Sequence, residues 1–212
     1  MRGNLKRAPR TLKQNKILKF TDMRTFNFFD YLPQKYQAIK PEDNKVRTFI
    51  YNFKDGYKET AIQAAQLVCN LLWRWYSHNC SEYTIACVPA SSEKEYRHRF
   101  SYFAAIIANN CCEENAMKHI HVIGQREAKH RVANHIVSED NYCISLDNDF
   151  FAGRKVIIFD DLITTGTTAR KFETALKSAG AEVKGGLFLG RTVKGIYKNS
   201  FWGRFAAHSL YM

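Results

Sequence analysis

Residues 156–168 read VIIFDDLITTGTT. Four apolar residues run into Asp160 and Asp161, and Leu162 and Ile163 lead on to Thr164, Thr165, Gly166, Thr167 and Thr168, where a helix-forming sequence begins. A turn into a helix offers free backbone N–H groups at the positive end of the helix dipole. That arrangement suits an anion, and a phosphate best of all. Gly166 lets the backbone approach a ligand with no side chain in the way, and the threonine hydroxyls add donors to phosphate oxygens. The two carboxylates cannot touch the same phosphate favourably, because like charges repel. They ask instead for hydroxyl donors.

The stretch therefore calls for a ligand with a phosphate at one end and a vicinal diol close by, and a ribose 5-phosphate unit has both. A plain helix N-cap is the bland alternative. One cap needs one Ser, Thr, Asp or Asn, and two acids with five contiguous Thr/Gly positions exceed that need.

Other segments must position these residues. KVIIF, 155–159, reads as the most buried strand, and TIACVP, 84–89, HIHVI, 119–123, and GLFLG, 186–190, read as further strands. RTFIYNF, 47–53, has strand-like composition and ends at the turn signal Lys54-Asp55-Gly56. Apolar residues at helical spacing mark three helices: Ala61, Ala65, Val68, Leu72 and Trp75; Tyr96, Phe100, Phe103 and Ile107; and Ala169, Phe172, Leu176 and Ala179, closed by Gly180. Residues 124–145 are polar and show no clean period. Strands alternating with helices predict an α/β fold, a parallel sheet covered on both faces. Ligands of such sheets bind beyond the carboxyl ends of the strands, which is where Asp160 and Asp161 are expected.

The chain has 212 residues, 45 % apolar and 25 % charged, ordinary for a globular protein. No apolar run approaches the roughly 20 residues of a membrane span, and the N-terminus lacks a signal-peptide core, so a cytoplasmic protein with no membrane partner is expected. None of the six cysteines forms a C-x-x-C pair, which argues against zinc and a disulfide framework. The net charge is +12. Arg2, Lys6, Arg7, Arg10, Lys13, Lys16, Lys19 and Arg24 face only Asp22 in the first 24 residues. That basic arm is either a contact for nucleic acid or another acidic partner, or a solvated tail. Residues 1–40 are expected to be a basic N-terminal extension and 41–212 one domain.

VIIFDDLITTGTT resembles the signature of type I phosphoribosyltransferases, which bind 5-phosphoribosyl-1-pyrophosphate. The resemblance implies a Rossmann-like five-strand core with a mobile loop and a small hood from the terminal segments. By that resemblance Asp160 and Asp161 hold the ribose 2- and 3-hydroxyls, and Thr164, Thr165, Gly166, Thr167 and Thr168 hold the 5-phosphate. CVPASSEKEYRHRF, 87–100, looks like the family's pyrophosphate cradle, with Ala90, Ser91 and Ser92 at a strand end and Lys94, Arg97 and Arg99 behind them. A solvated basic face is the alternative reading of Arg97 and Arg99.

FIYNFKDGYKE, 49–59, is similar to the segment before the first core helix in ComF-like, amidophosphoribosyltransferase-related proteins. The chain departs from those relatives in lacking a cysteine-rich zinc ribbon, an N-terminal cysteine nucleophile and a glutaminase domain.

The implied reaction is Mg²⁺-dependent displacement of pyrophosphate at the anomeric carbon by a nitrogen acceptor, since pyrophosphate and diol oxygens suit that hard cation. By analogy, residues 124–145, with Arg126, Lys129, His130, Arg131 and His135, would be the mobile loop, an ordinary surface hairpin being the alternative. Phe201 or Trp202 would stack on a base in the hood, or else pack in the core or at a subunit interface. A homodimer is the family's common state. The competing reading is a ComF-like nucleic-acid-associated module, in DNA uptake or bacterial defence, using the fold for ligand sensing.

Overall fold

The computed structural model describes residues 23–36, 40–111, 114–124 and 142–193. Its centre is a parallel sheet of four strands in the order β1-β6-β5-β2. These are β1 (Thr25–Tyr31), β2 (Tyr83–Cys87), β5 (Lys155–Ile163) and β6 (Glu182–Thr192). Val156, Ile157, Ile158 and Phe159 are all buried, as a strand flanked by two neighbours and covered on both faces requires. The protein is a mixed α/β fold, in agreement with the alternation in the sequence.

Helices α1 (Pro41–Lys54), α2 (Lys58–Tyr76) and α3 (Glu93–Asn110) pack on one another. Helix α5 (Thr167–Ser178) packs on β5 and β6. The β1-to-β2 connection and the β5-to-β6 connection cross the sheet in opposite directions, and right-handed crossovers therefore put α1 and α5 on opposite faces. Four rings lock one face: Phe159 stacks on Phe103 at 4.0 Å, and Phe53 meets Phe100, Phe103 and Phe159 at 5.8–5.9 Å in edge-to-face contacts. The turn between α1 and α2 lies close on α3. Gly56 there has φ +70°, and a Cβ on it would come within 2.7 Å of the His98 carbonyl oxygen, so no other residue fits.

Four expectations need correction. Residues 47–53 are helical, not a strand. Pro41 opens α1, Glu42 and Asp43 sit in its first turn, and the Asp43 carboxylate accepts the Lys40 N–H at 3.0 Å. Phe49, Ile50 and Phe53 are its buried positions, too few on their own to separate a helix from a strand. Second, β1 lies N-terminal to the boundary drawn at residue 40. It pairs with β6 and buries Phe28, Phe29 and Tyr31, so the folded unit takes in residues assigned to the extension.

Third, the HIHVI segment does form a strand, β3 (Ile120–Ile123), but it pairs antiparallel with β4 (Cys143–Leu146) in a separate hairpin. Among the described residues the parallel sheet has four strands where five were expected. Fourth, β5 does not stop at Phe159. Its pairing with β6 continues through Asp160, Leu162 and Ile163, so the two acids belong to the strand itself.

A short helix, α4 (Asn148–Phe151), precedes β5. Gly180, with φ +86°, closes α5 as expected, its N–H bonded to the Lys177 carbonyl. Four of the cysteines, Cys69, Cys80, Cys87 and Cys111, are buried thiols. No helix among the described residues is long and apolar enough to cross a membrane.

Phe159→Ala should cost ~3–5 kcal/mol, because it empties the centre of the four-ring cluster. Urea denaturation at pH 7 measures it. A loss under about 1 kcal/mol would show that this cluster does not anchor α1 and α3 to the sheet.

Candidate functional site

Asp160, Asp161 and Arg99 meet at the carboxyl end of the parallel sheet, where the Gly166 turn begins α5. Asp161 is the most constrained of them, only 3 % exposed. Its Oδ2 accepts from Arg99 Nη1 at 2.9 Å, and its Oδ1 lies 3.6 Å from Lys54 Nζ. Arg99 arrives there because α3 is fixed at both ends of its first turns. Ser92 caps the helix, its Oγ accepting the Glu95 N–H at 3.2 Å. Tyr96, fully buried, donates its hydroxyl to the Cys87 carbonyl at 3.2 Å and ties the helix to the end of β2. Lys54 arrives because Phe53, beside it, is locked in the ring cluster.

Asp160 is half-buried, and its Oδ1 accepts the N–H of Asp161 at 2.9 Å. Loss of hydration pushes its carboxyl up to about 8, the negative charge of Asp161 adds to the shift, and Arg99 and Lys54 only partly oppose it. Two neighbouring acids therefore do not make a doubly negative site. Near neutral pH Asp160 retains much of its proton, while Asp161 is faced by two cations. The end of the sheet carries an excess of positive charge, which removes the apparent conflict between tandem acids and an adjacent phosphate site.

The turn behind them has the predicted form. Gly166, with φ +74°, caps α5, whose first internal bond runs from the Arg170 N–H to the Gly166 carbonyl at 3.0 Å. A Cβ at Gly166 would meet only the Ile163 side chain, at 3.6 Å. The left-handed backbone, rather than close approach to a neighbour, is what demands glycine in the free protein. Thr164, Thr165, Thr167 and Thr168 are exposed. Thr165 and Thr167 share a hydroxyl–hydroxyl bond of 2.9 Å, and Arg170 Nη2 donates to the Thr165 carbonyl at 3.0 Å.

The segment after β2 is less uniform. Ala90 accepts the Tyr142 hydroxyl at 3.0 Å through its carbonyl, Ser91 is exposed, and Ser92 serves as the α3 cap. Arg97 does not join Arg99. Its Nε donates to Glu93 at 2.7 Å, and Glu93 also accepts the Val122 N–H at 2.8 Å, so Glu93 ties α3 to β3 and Arg97 holds Glu93 in place. Arg99 Nε, in contrast, is buried with no hydrogen-bond partner among the described residues. Lys94 is exposed. Arg126, Lys129, His130, Arg131, His135, Phe201, Trp202 and the leader up to residue 22 lie outside the described residues.

Lys54, Tyr31, Tyr51 and Arg170 were not singled out from the sequence. Tyr31, the last residue of β1, donates its hydroxyl to that of Tyr51 at 3.1 Å. Burial and that bond push its phenol up to about 12. The chain leaving β1 is held to α1 by Arg47, which donates to the carbonyls of Leu32, Pro33 and Tyr36. Reading a helix from Pro41 would have placed Lys54 at its C-terminal end, next to buried Phe53.

The raised Asp160 carboxyl fixes a pH dependence. A folded-state value above the ordinary one near 3.8 means that the folded protein holds a proton that the unfolded chain releases. Stability from this group is therefore lost as pH rises from about 4 to about 8. Asp160→Asn keeps the acceptor for the Asp161 N–H and removes the titration. Its Tm should gain on wild type between pH 5 and pH 8 by roughly 8–16 °C, on the order of 4 kcal/mol. Parallel Tm–pH curves would contradict the assignment.

No family model matches the chain, and no curated protein matches it in sequence.

Proposed function

We propose that the protein is a Mg²⁺-dependent phosphoribosyltransferase that binds 5-phosphoribosyl-1-pyrophosphate and transfers ribose 5-phosphate to a nitrogen acceptor. The observation that carries the reading is the juxtaposition at one sheet end of Asp160 and Asp161, the Gly166 turn at the start of α5, and Arg99 from α3. The type I phosphoribosyltransferase core is the specific form of α/β fold that this reading assigns.

In it, the α5 N-terminus with Thr164, Thr165, Gly166, Thr167 and Thr168 holds the 5-phosphate by backbone N–H and hydroxyl donors. The aspartates accept the ribose hydroxyls, and hydroxyl donors relieve the unfavourable burial of Asp160. Ala90, Ser91 and Ser92 lie at the end of β2, the neighbouring strand, where the leaving pyrophosphate would sit. Arg99, whose guanidinium is engaged with Asp161 at 2.9 Å, would supply positive charge there. Arg97 would have to leave Glu93 to take part.

The donor set fits a metal that enters with its ligand. Among the described residues no three His, Cys, Asp or Glu side chains converge as a protein-only site. Mg²⁺ commonly binds through one or two carboxylates plus substrate phosphates, and Asp160 has no ion pair of its own among those residues. When bound, the ion would neutralise charge on the departing pyrophosphate. The chain's own part is to hold the ribose rigidly and to place the Asp161 carboxylate near the positive charge that develops at the anomeric carbon.

Calorimetric titration with phosphoribosyl pyrophosphate and Mg²⁺ tests this. Wild type should bind, and the double variant Asp160→Asn, Asp161→Asn should lose at least about 100-fold in affinity, since bonds to charged groups are each worth ~1.5–3 kcal/mol. Circular dichroism checks that the variant is folded. No binding by wild type, or undiminished binding by a folded double variant, rejects the proposal.

A further inference from the structure

Helix α1 ends on Lys54, next to fully buried Phe53. Phe53 packs against Phe100, Phe103 and Phe159, so the helix end is pinned to α3 and β5 and the Lys54 ammonium swings from a fixed base. Asp161 gives Oδ2 to Arg99 at 2.9 Å and Oδ1 to Lys54 at 3.6 Å. The first contact is within hydrogen-bond range and the second is beyond it. The Lys54 side chain is 33 % exposed, against 22 % for Arg99. One carboxylate thus faces two cations. Arg99 already balances its charge, and Lys54 is the surplus, loosely held and open to solvent.

We propose that Lys54 is a diphosphate-binding residue, resting against Asp161 in the free protein and passing to the ligand's diphosphate oxygens on binding, which frees Asp161 Oδ1 for a sugar hydroxyl. The inference rests on the reading of the site given above. An ammonium on a flexible stem carries three rotatable donors and suits such a transfer. A partly solvated contact of this length is worth no more than ~1 kcal/mol, so releasing it costs little. A diphosphate offers several charged oxygens and stronger, charge-assisted bonds in return. The competing role for Lys54 is to complement the negative C-terminal end of α1. That role bears on helix stability and does not discriminate between ligands.

The test is calorimetric titration of inorganic pyrophosphate, phosphoribosyl pyrophosphate and ribose 5-phosphate, each with Mg²⁺, into wild type, Lys54→Met and Lys54→Arg. Lys54→Met should weaken both diphosphates roughly 10–100-fold and ribose 5-phosphate less than about twofold, with Lys54→Arg recovering most of the loss. An equal loss for all three ligands, or no loss, overturns the inference. Lys54-dependent binding of pyrophosphate without binding of phosphoribosyl pyrophosphate upholds it and rejects the proposed function. Equal binding of phosphoribosyl pyrophosphate by wild type and Lys54→Met does the reverse. If wild type binds neither diphosphate, both fall.

Discussion

The Asp161 carboxylate, held between Arg99 and Lys54, is the contact on which the rest of the site depends. It joins the central strand to two helices at the point where the strand ends. A buried carboxylate is costly unless it is paired and hydrogen-bonded; α3 delivers that partner in Arg99, and α1 adds Lys54 as a second, looser cation at the same place. The ring cluster of Phe53, Phe100, Phe103 and Phe159 lies immediately beneath and sets the positions of both helices. Packing of apolar rings and placement of charge are thus one problem with one solution.

The same arrangement settles the electrostatics of the sheet end. Lost hydration and the charge of Asp161 raise the Asp160 carboxyl, and two cations face Asp161, so the tandem acids repel an anion less than their number suggests. The α5 N-terminus adds its own positive end a few residues later. A ligand that is anionic at its extremities and carries hydroxyls in the middle matches this distribution of charge, and a phosphoribosyl diphosphate has that form. Complementarity of charge and donors would be enough for such binding.

The site motif was legible because its residues are contiguous. Asp160 to Thr168 occupy one strand end and one turn, so their spacing in sequence is nearly their spacing in space. The helical stripes of α2, α3 and α5 were legible for the usual reason, a repeated apolar period. Residues 47–53 were not, because Phe49, Ile50 and Phe53 alone satisfy either a helix or a strand rich in β-formers, and the decisive acids and proline lie upstream. β1 carries aromatics on both alternating sets, Phe26 and Phe28 as well as Phe29 and Tyr31, so it has no period-two pattern to read. Arg97 and Arg99 look equivalent in sequence. What separates them is Glu93, four residues before Arg97, and Asp161, 62 residues after Arg99. Only the first of those is local, and the second is the one that makes the site.

The proposed function predicts that Mg²⁺ and the ribose hydroxyls, arriving together, draw the retained proton off Asp160 and leave it a charged acceptor. It is tested most directly by titrating phosphoribosyl pyrophosphate with Mg²⁺ at pH 7.5 in two buffers of different ionisation enthalpy. The account predicts net proton release on binding to wild type that is smaller in Asp160→Asn, the difference being the proton lost by Asp160. Identical proton release in the two proteins, or no binding by wild type, would contradict it.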